Sequence, residues 1–190
     1  MSYVSEANTF FTVLTVLANV AFVVLLLVGL GALLGAAPRR AAQRLASIVG
    51  PRASVIALVV AAVATAGSLY YSEIVEYIPC ELCWYQRICM YPLFAILAVG
   101  VIRRDRAVVW YAAPFVVFGA PVSLYHWLVE RVPSIAESSE CSVFAPCSVP
   151  YFEELGYVTL AFMALSAFLL IGALLITSIV GSGTPRKAVA

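Results

Sequence analysis

The sequence predicts an all-α integral membrane protein of five spans, and three observations carry that prediction. First, 64% of its 190 residues are hydrophobic and 11% are charged, with a mean hydropathy of +1.02. A soluble domain carries about 25% charged residues, so most of this surface faces lipid. Second, five apolar runs each have about the 20 residues a helix needs to cross a bilayer, and helix is the form that satisfies its own backbone there. Third, the charges between the runs sort by sign. The segments between runs are too short for a soluble domain, so residues 1–190 read as one membrane domain. No basic stripe of the kind that binds nucleic acid is present.

The first run is Phe10–Ala36. Its leading segment, MSYVSEANTF, has one acid and no base, and the basic flank PRRAAQR follows it. A cleaved leader has a basic start and a shorter apolar core, so this run is expected to be a retained span with the N-terminus outside. The second run, Ala53–Tyr71, follows Arg39, Arg40, Arg44 and Arg52. The third, Leu82–Ile102, opens on PCELC and ends at RRDR, where Arg103, Arg104 and Arg106 surround Asp105. The fourth is Ala107–Val129, the fifth is Tyr157–Val180, and a long loop over 130–156 joins them. Arg186 and Lys187 follow the last span.

Those three basic segments hold nine of the 11 basic residues, which makes them cytoplasmic by the positive-inside rule. Nine of the ten acids, all glutamates, fall on the opposite side. Arg131 sits among acids in the outer loop and is expected to be a solvated charge. Arg87 differs, because it lies inside the third span, where a charge is costly and marks a functional site. Snorkelling is the alternative, since Arg87 lies only about 7 Å beyond Leu82. Tyr70, Tyr71, Tyr77, Trp84, Tyr85, Tyr125, Trp127, Tyr151 and Tyr157 gather at the outer ends, as an interfacial aromatic belt requires.

Five cysteines remain. Cys80 and Cys83 open the third helix, and Cys141 and Cys147 lie in the outer loop, so all four face an oxidising compartment. Pairing within each set is the natural arrangement, although four cysteines permit three connectivities. Pro79 places Cys80 near the N-cap, where unpaired N–H groups and the helix dipole favour a thiolate. At 3.6 residues per turn, Cys80, Cys83, Arg87 and Met90 or Tyr91 share a face. Cys89 lies off that face and reads as a small buried hydrophobe. The loop pair, in ECSVFAPCSVPYFEELGY, is either a staple or an exchangeable bond. Its neighbours Val143, Phe144, Tyr151 and Phe152 are expected on the membrane surface. A four-thiolate zinc site is disfavoured by the oxidising side and by the lack of a second CxxC, so no metal is expected. Covalent haem is excluded, because Trp84 and not a histidine follows Cys83.

CELCWYQRICMYP resembles the signature of the disulfide bond formation protein B family (DsbB and its short BdbC-type relatives). APCSVPYFEELGYVTLAFMALSAF resembles that family's second cysteine region running into its last span. The resemblance covers about Ala53–Val180. The related vitamin K epoxide reductase family has its loop pair before the helix pair, the reverse of the order here.

The resemblance implies a four-helix transmembrane bundle core, with Phe10–Ala36 as an additional N-terminal transmembrane helix. It also implies a disulfide:quinone oxidoreductase of the bacterial plasma membrane. Cys141 and Cys147 match the pair that takes electrons from a reduced extracytoplasmic thioredoxin-fold oxidase (DsbA-like). Cys80 and Cys83 match the pair that hands them to quinone, ubiquinone or menaquinone, with Cys83 the thiolate beside the ring. Arg87 matches the arginine that holds and polarises the quinone. Gln86 occupies a position that is a carboxylate in some members, and His126 resembles a position near the quinone head. A scaffolding membrane protein with inert stapling disulfides is the rival from another class, and a vitamin K epoxide reductase-like quinone reductase is the nearer one. A transporter lacks support, because no inverted repeat is visible.

Overall fold

The structure, a computed structural model, describes residues 2–137, 141 and 145–182. Five helices in it are long and apolar enough to span a membrane. They are α1 (Ser2–Leu34), α2 (Ala36–Leu69, ending in a π-helical turn over Tyr70–Ile74), α3 (Glu81–Arg103), α4 (Val108–Arg131) and α6 (Leu160–Ser182). A short helix, α5 (Pro133–Glu137), follows α4. Helix α2 packs on α3 and α6, and α4 packs on the same two, which closes a four-helix ring. Helix α1 stands outside the ring against α2 and α6.

Helix–helix association in lipid depends on close backbone approach, which small residues allow. Ala46, Gly50, Ala53, Ala57 and Ala61 recur on α2 at helical spacing, and the last three are fully buried. A Cβ on Gly50 would come within 3.1 Å of Cα of Gly181 on α6, so the two backbones touch there. Further along α6, the Phe168 ring occupies the space a Cβ on Gly119 of α4 would take. Helix α1 is held differently. Asn8, Thr12, Thr15 and Asn19 recur every three or four residues and form a polar stripe. Asn8 accepts a 2.9 Å hydrogen bond from the Tyr71 hydroxyl, and Asn19 donates to Ser166 Oγ at 3.1 Å.

Several expectations change. The arginine segment between the first two spans is not a loop. Only Gly35 separates α1 from α2, and Arg39–Arg52 is already helical. Alanine and arginine are strong helix formers, and 34 residues of helix reach about 50 Å, well beyond a hydrocarbon core of about 30 Å. Helix α1 likewise begins at Ser2 rather than Phe10, and α6 at Leu160 rather than Tyr157. The turn over RRDR is tight: Arg104 is left-handed (φ 53°), and Asp105 N–H donates to Gly100 O at 2.9 Å, a helix C-cap made without glycine.

Arg131 is not a free surface charge. Its Nη1 donates to Glu153 Oε1 at 3.3 Å and to the Gly156 carbonyl at 2.9 Å, tying the end of α4 to the returning loop. The outer aromatics are not all a lipid-facing belt either. Tyr71 stacks on Tyr77 (5.8 Å, 10°), and Tyr77 stacks on Tyr151 (4.2 Å, 8°). Phe152 packs on Tyr71 at 5.5 Å. Tyr151 and Phe152 therefore pack onto other aromatic rings, which hold the loop down on the bundle. Val143 and Phe144, like Glu140, Arg186 and Lys187, lie outside the described residues.

Candidate redox site

Cys80 is the N-cap of α3. Its backbone is extended (φ −72°, ψ 173°), and its Sγ accepts from the Cys83 N–H at 3.3 Å. The CxxC spacing then brings Cys83 Sγ to 2.7 Å from Cys80 Sγ, with both thiols free. A closed disulfide needs about 2.05 Å, so the bond forms with a movement of under about 1 Å.

On its other side Cys80 meets His126 of α4, whose Nε2 is 3.5 Å from the sulfur. His126 Nδ1 is 3.3 Å from Gln86 Nε2, which is a donor only. The imidazole proton of the neutral ring therefore sits on Nε2 and is directed at Cys80. Glu130 Oε1 lies 3.9 Å from the same Nε2, and Glu130 Oε2 accepts a 2.6 Å hydrogen bond from Thr159. Hydrogen bonding from Cys83 and then from His126 overcomes burial and draws the Cys80 thiol down to about 4. A depressed thiol is ionised above its pKa and protonated as pH falls through it. The reduced pair thus carries one thiolate at neutral pH, and the stability it contributes disappears toward pH 4. In reduced protein carrying Cys141→Ser and Cys147→Ser, absorbance near 240 nm should show this thiolate persisting down to about pH 5. His126→Ala should move its loss upward by about one pH unit or more. Superimposable titrations would show that His126 does not act on Cys80.

Cys141 and Cys147 form a disulfide, with Cα atoms 5.9 Å apart. Cys147 is 2% exposed and shares a small cluster with Cys80 and Val129, whereas Cys141 is only partly buried. The loop pair and the helix pair therefore face each other at one end of the bundle.

Cys83 packs against the same cluster and also opens on its far side. It lines a cavity of about 400 Å³ between α1, α2, α3 and α6, together with Gln86, Arg87, Met90 and Tyr91. This is the α3 face that the spacing predicts, except that Cys80 is turned from the cavity toward the loop. Arg87 is fixed in the wall: its Nη2 donates to the Ser68 carbonyl at 3.1 Å, and its guanidinium lies 5.3 Å from the Trp84 ring centroid. The structure places His126 behind Cys80, outside the cavity lining, and Gln86 is the residue that touches both. Cys89 is half-buried against the main core, away from the other cysteines. Cys80, Cys83 and His126 also converge within 4.8 Å, a set of three ligands a soft metal ion accepts when the pair is reduced.

Glu130, Thr159 and the Tyr77–Tyr151 stack escape the sequence reading. Glu130 had a signal, since it lies four residues after the single histidine and so on the same helix face. The tyrosine stack had none, because its partners are brought together only by the fold.

A membrane-spanning bundle that sets an open dithiol against a disulfide, with a cavity behind one thiol, defines a membrane thiol–disulfide oxidoreductase. The family model described as disulfide bond formation protein DsbB matches residues 51–177. The chain belongs to that family. Disulfide bond formation protein C of Bacillus subtilis (strain 168) is 47% identical over 113 residues, which is 60% of this chain and 82% of the relative. The probable disulfide formation protein of Oceanobacillus iheyensis is 46% identical over 112 residues, 57% of this chain and 75% of the relative. That of Coxiella burnetii (strain CbuK_Q154) is 44% identical over 118 residues, 61% of this chain and 80% of the relative. No solved structure matches the chain. The family match covers most of the four-helix ring, from Pro51 of α2 to Thr177 of α6, and leaves α1 outside it.

Proposed function

We propose that this protein reoxidises a reduced extracytoplasmic thioredoxin-fold thiol oxidase and passes the two electrons to a membrane quinone, ubiquinone or menaquinone. One observation carries the proposal: the adjoining thiols of α3 bridge two environments, Cys80 buried beside the loop disulfide and Cys83, 2.7 Å from it, also lining an apolar cavity walled by Arg87. The cavity suits a quinone in kind. Its walls are mostly aliphatic and aromatic, and a thiol and a guanidinium stand together at its outer end. When bound, the quinone supplies a two-electron acceptor. Arg87 and Gln86 would hold its polar head, with Arg87 using N–H groups not spent on Ser68.

The order of thiol steps follows from burial. Cys141 is the more accessible loop sulfur, so the partner's thiolate attacks there and Cys147 leaves as a thiolate. The partner's second thiolate then attacks its own sulfur in the mixed disulfide, and oxidised partner departs. Cys147, packed beside Cys80, attacks Cys80 of the closed helix pair and expels Cys83. Cys141 next attacks Cys147, restoring the loop disulfide and expelling Cys80. Its low pKa makes Cys80 a good leaving group. The electron pair now sits on Cys80 and Cys83. With a quinone in the cavity, closing the Cys80–Cys83 bond would release two electrons through Cys83 to the quinone, and two protons, one of them from the Cys83 thiol, would complete the quinol. The sorting of basic residues supports a cytoplasmic arginine end and an extracytoplasmic redox end.

Arg87→Leu tests the acceptor side. A charged hydrogen bond is worth about 1.5–3 kcal/mol, or roughly 10- to 100-fold. KM for quinone should rise by that factor, while thiol exchange between the partner and Cys141–Cys147 continues. An unchanged KM would remove Arg87 from the quinone site.

A further inference from the structure

Helix α1 lies outside the family match, yet it supplies one wall of the cavity: Phe11, Leu14, Thr15, Leu17 and Ala18. The cavity is longer than a quinone head requires. Its lining on α2 runs from Tyr71 to Val59, about 18 Å at the helical rise, and on α6 from Leu160 to Leu170, about 15 Å. Cys83 and Arg87 stand at the end nearest Tyr71, Tyr77 and Tyr151; the remainder is an apolar slot running toward the arginine end of the bundle. Phe11 and Ala18 are seven residues apart, so α1 covers about 10 Å of that slot.

The wall is built and not merely adjacent. The Phe11 ring lies so close over Gly67 of α2 that a Cβ there would meet it at 2.9 Å. Asn8 and Asn19 pin α1 to Tyr71 of α2 and Ser166 of α6, above and below the lining residues. In a bilayer such hydrogen bonds fix the rotation of a helix about its axis. They turn Phe11, Leu14 and Ala18 inward and leave Val13 and Val20 exposed.

We propose that α1 is the tail-binding wall of the quinone site, and that Phe11, Leu14 and Ala18 select for an isoprenoid chain. The inference rests on the quinone reading above. The four-helix ring supplies the chemistry at the head, and α1 converts an open lipid-facing groove into a slot that grips the tail.

The test compares kcat/KM for a quinone carrying several isoprenoid units with that for the same head group without a tail. Ala18→Phe fills the slot and displaces about two methylenes' worth of tail burial. The tailed-to-tailless ratio should fall about tenfold. Leu14→Ala, which removes volume and cannot clash, should lower the ratio by a few-fold and decides the matter if Ala18→Phe does not fold. Val20→Phe, on the lipid-facing side of the same helix, should leave the ratio as it is. Unchanged ratios in both wall variants, or an equal fall in Val20→Phe, overturn the inference alone. A wild-type chain that reduces neither quinone overturns the quinone reading and this inference with it.

Discussion

Replacing Cys83 by serine is expected to bring quinone reduction below about one thousandth of wild type, the scale on which loss of a reacting nucleophile is felt. Cys83 is the α3 thiol that lines the cavity, and its neighbour cannot substitute, because Cys80 faces Cys147 and His126. The same variant should accumulate a trapped species. With no Cys83 to pair with, the Cys80 thiolate attacks the nearest disulfide sulfur, in the buried cluster it shares with Cys147. A Cys80–loop disulfide should therefore appear in non-reducing peptide mass spectrometry. Cys80→Ser should be as inactive and show no such species. Full quinone turnover in either variant would mean that α3 does not carry the electrons.

The second large effect separates the two cysteine pairs. Cys147→Ser should stop turnover with the thioredoxin-fold partner, again to below about one thousandth. The partner can no longer displace a leaving thiolate from a loop disulfide, and the transfer to Cys80 has lost its nucleophile. A small dithiol, by contrast, can reach the helix pair directly. It should still drive quinone reduction in this variant through Cys80 and Cys83. Loss of activity with both reductants would point to collapse of the outer cluster around Val129 instead of a broken relay. Normal turnover with the partner would place the loop pair off the path and make it a staple.

Much of this could be read from the residues, and the boundary is physical. Apolar runs of span length and the sorting of arginines gave the five helices, because lipid leaves the backbone few alternatives. The N-cap position of Cys80 and the common face of Cys83, Arg87, Met90 and Tyr91 follow from local geometry, with Pro79 as the start signal. The side of α3 to which Cys80 turns does not, since it depends on α4 and the loop. The same limit hid the Glu130–His126 contact with Cys80 and the role of Arg131, whose partners come from segments 22 to 25 residues away. Tyr77 and Tyr151 looked like belt residues because interfacial and stacked tyrosines have the same composition signature. The extended α2 is not legible because four arginines suggest a loop, although arginine is also a strong helix former. A stapling role for the cysteines leaves the open Cys80–Cys83 pair and the cavity behind it without a purpose.

The central claim is that electrons enter at the loop disulfide and leave at the cavity. The most direct measurement uses the purified full-length chain in lipid nanodiscs with a reduced thioredoxin-fold thiol oxidase, and ubiquinone or menaquinone in turn. Quinone absorbance and partner thiols are followed together under anaerobic conditions. The account predicts that one quinone is reduced for each partner disulfide formed, with at least one of the two quinones, and that neither change occurs without the chain. A partner that is oxidised while both quinones stay oxidised, or that stays reduced throughout, would contradict it.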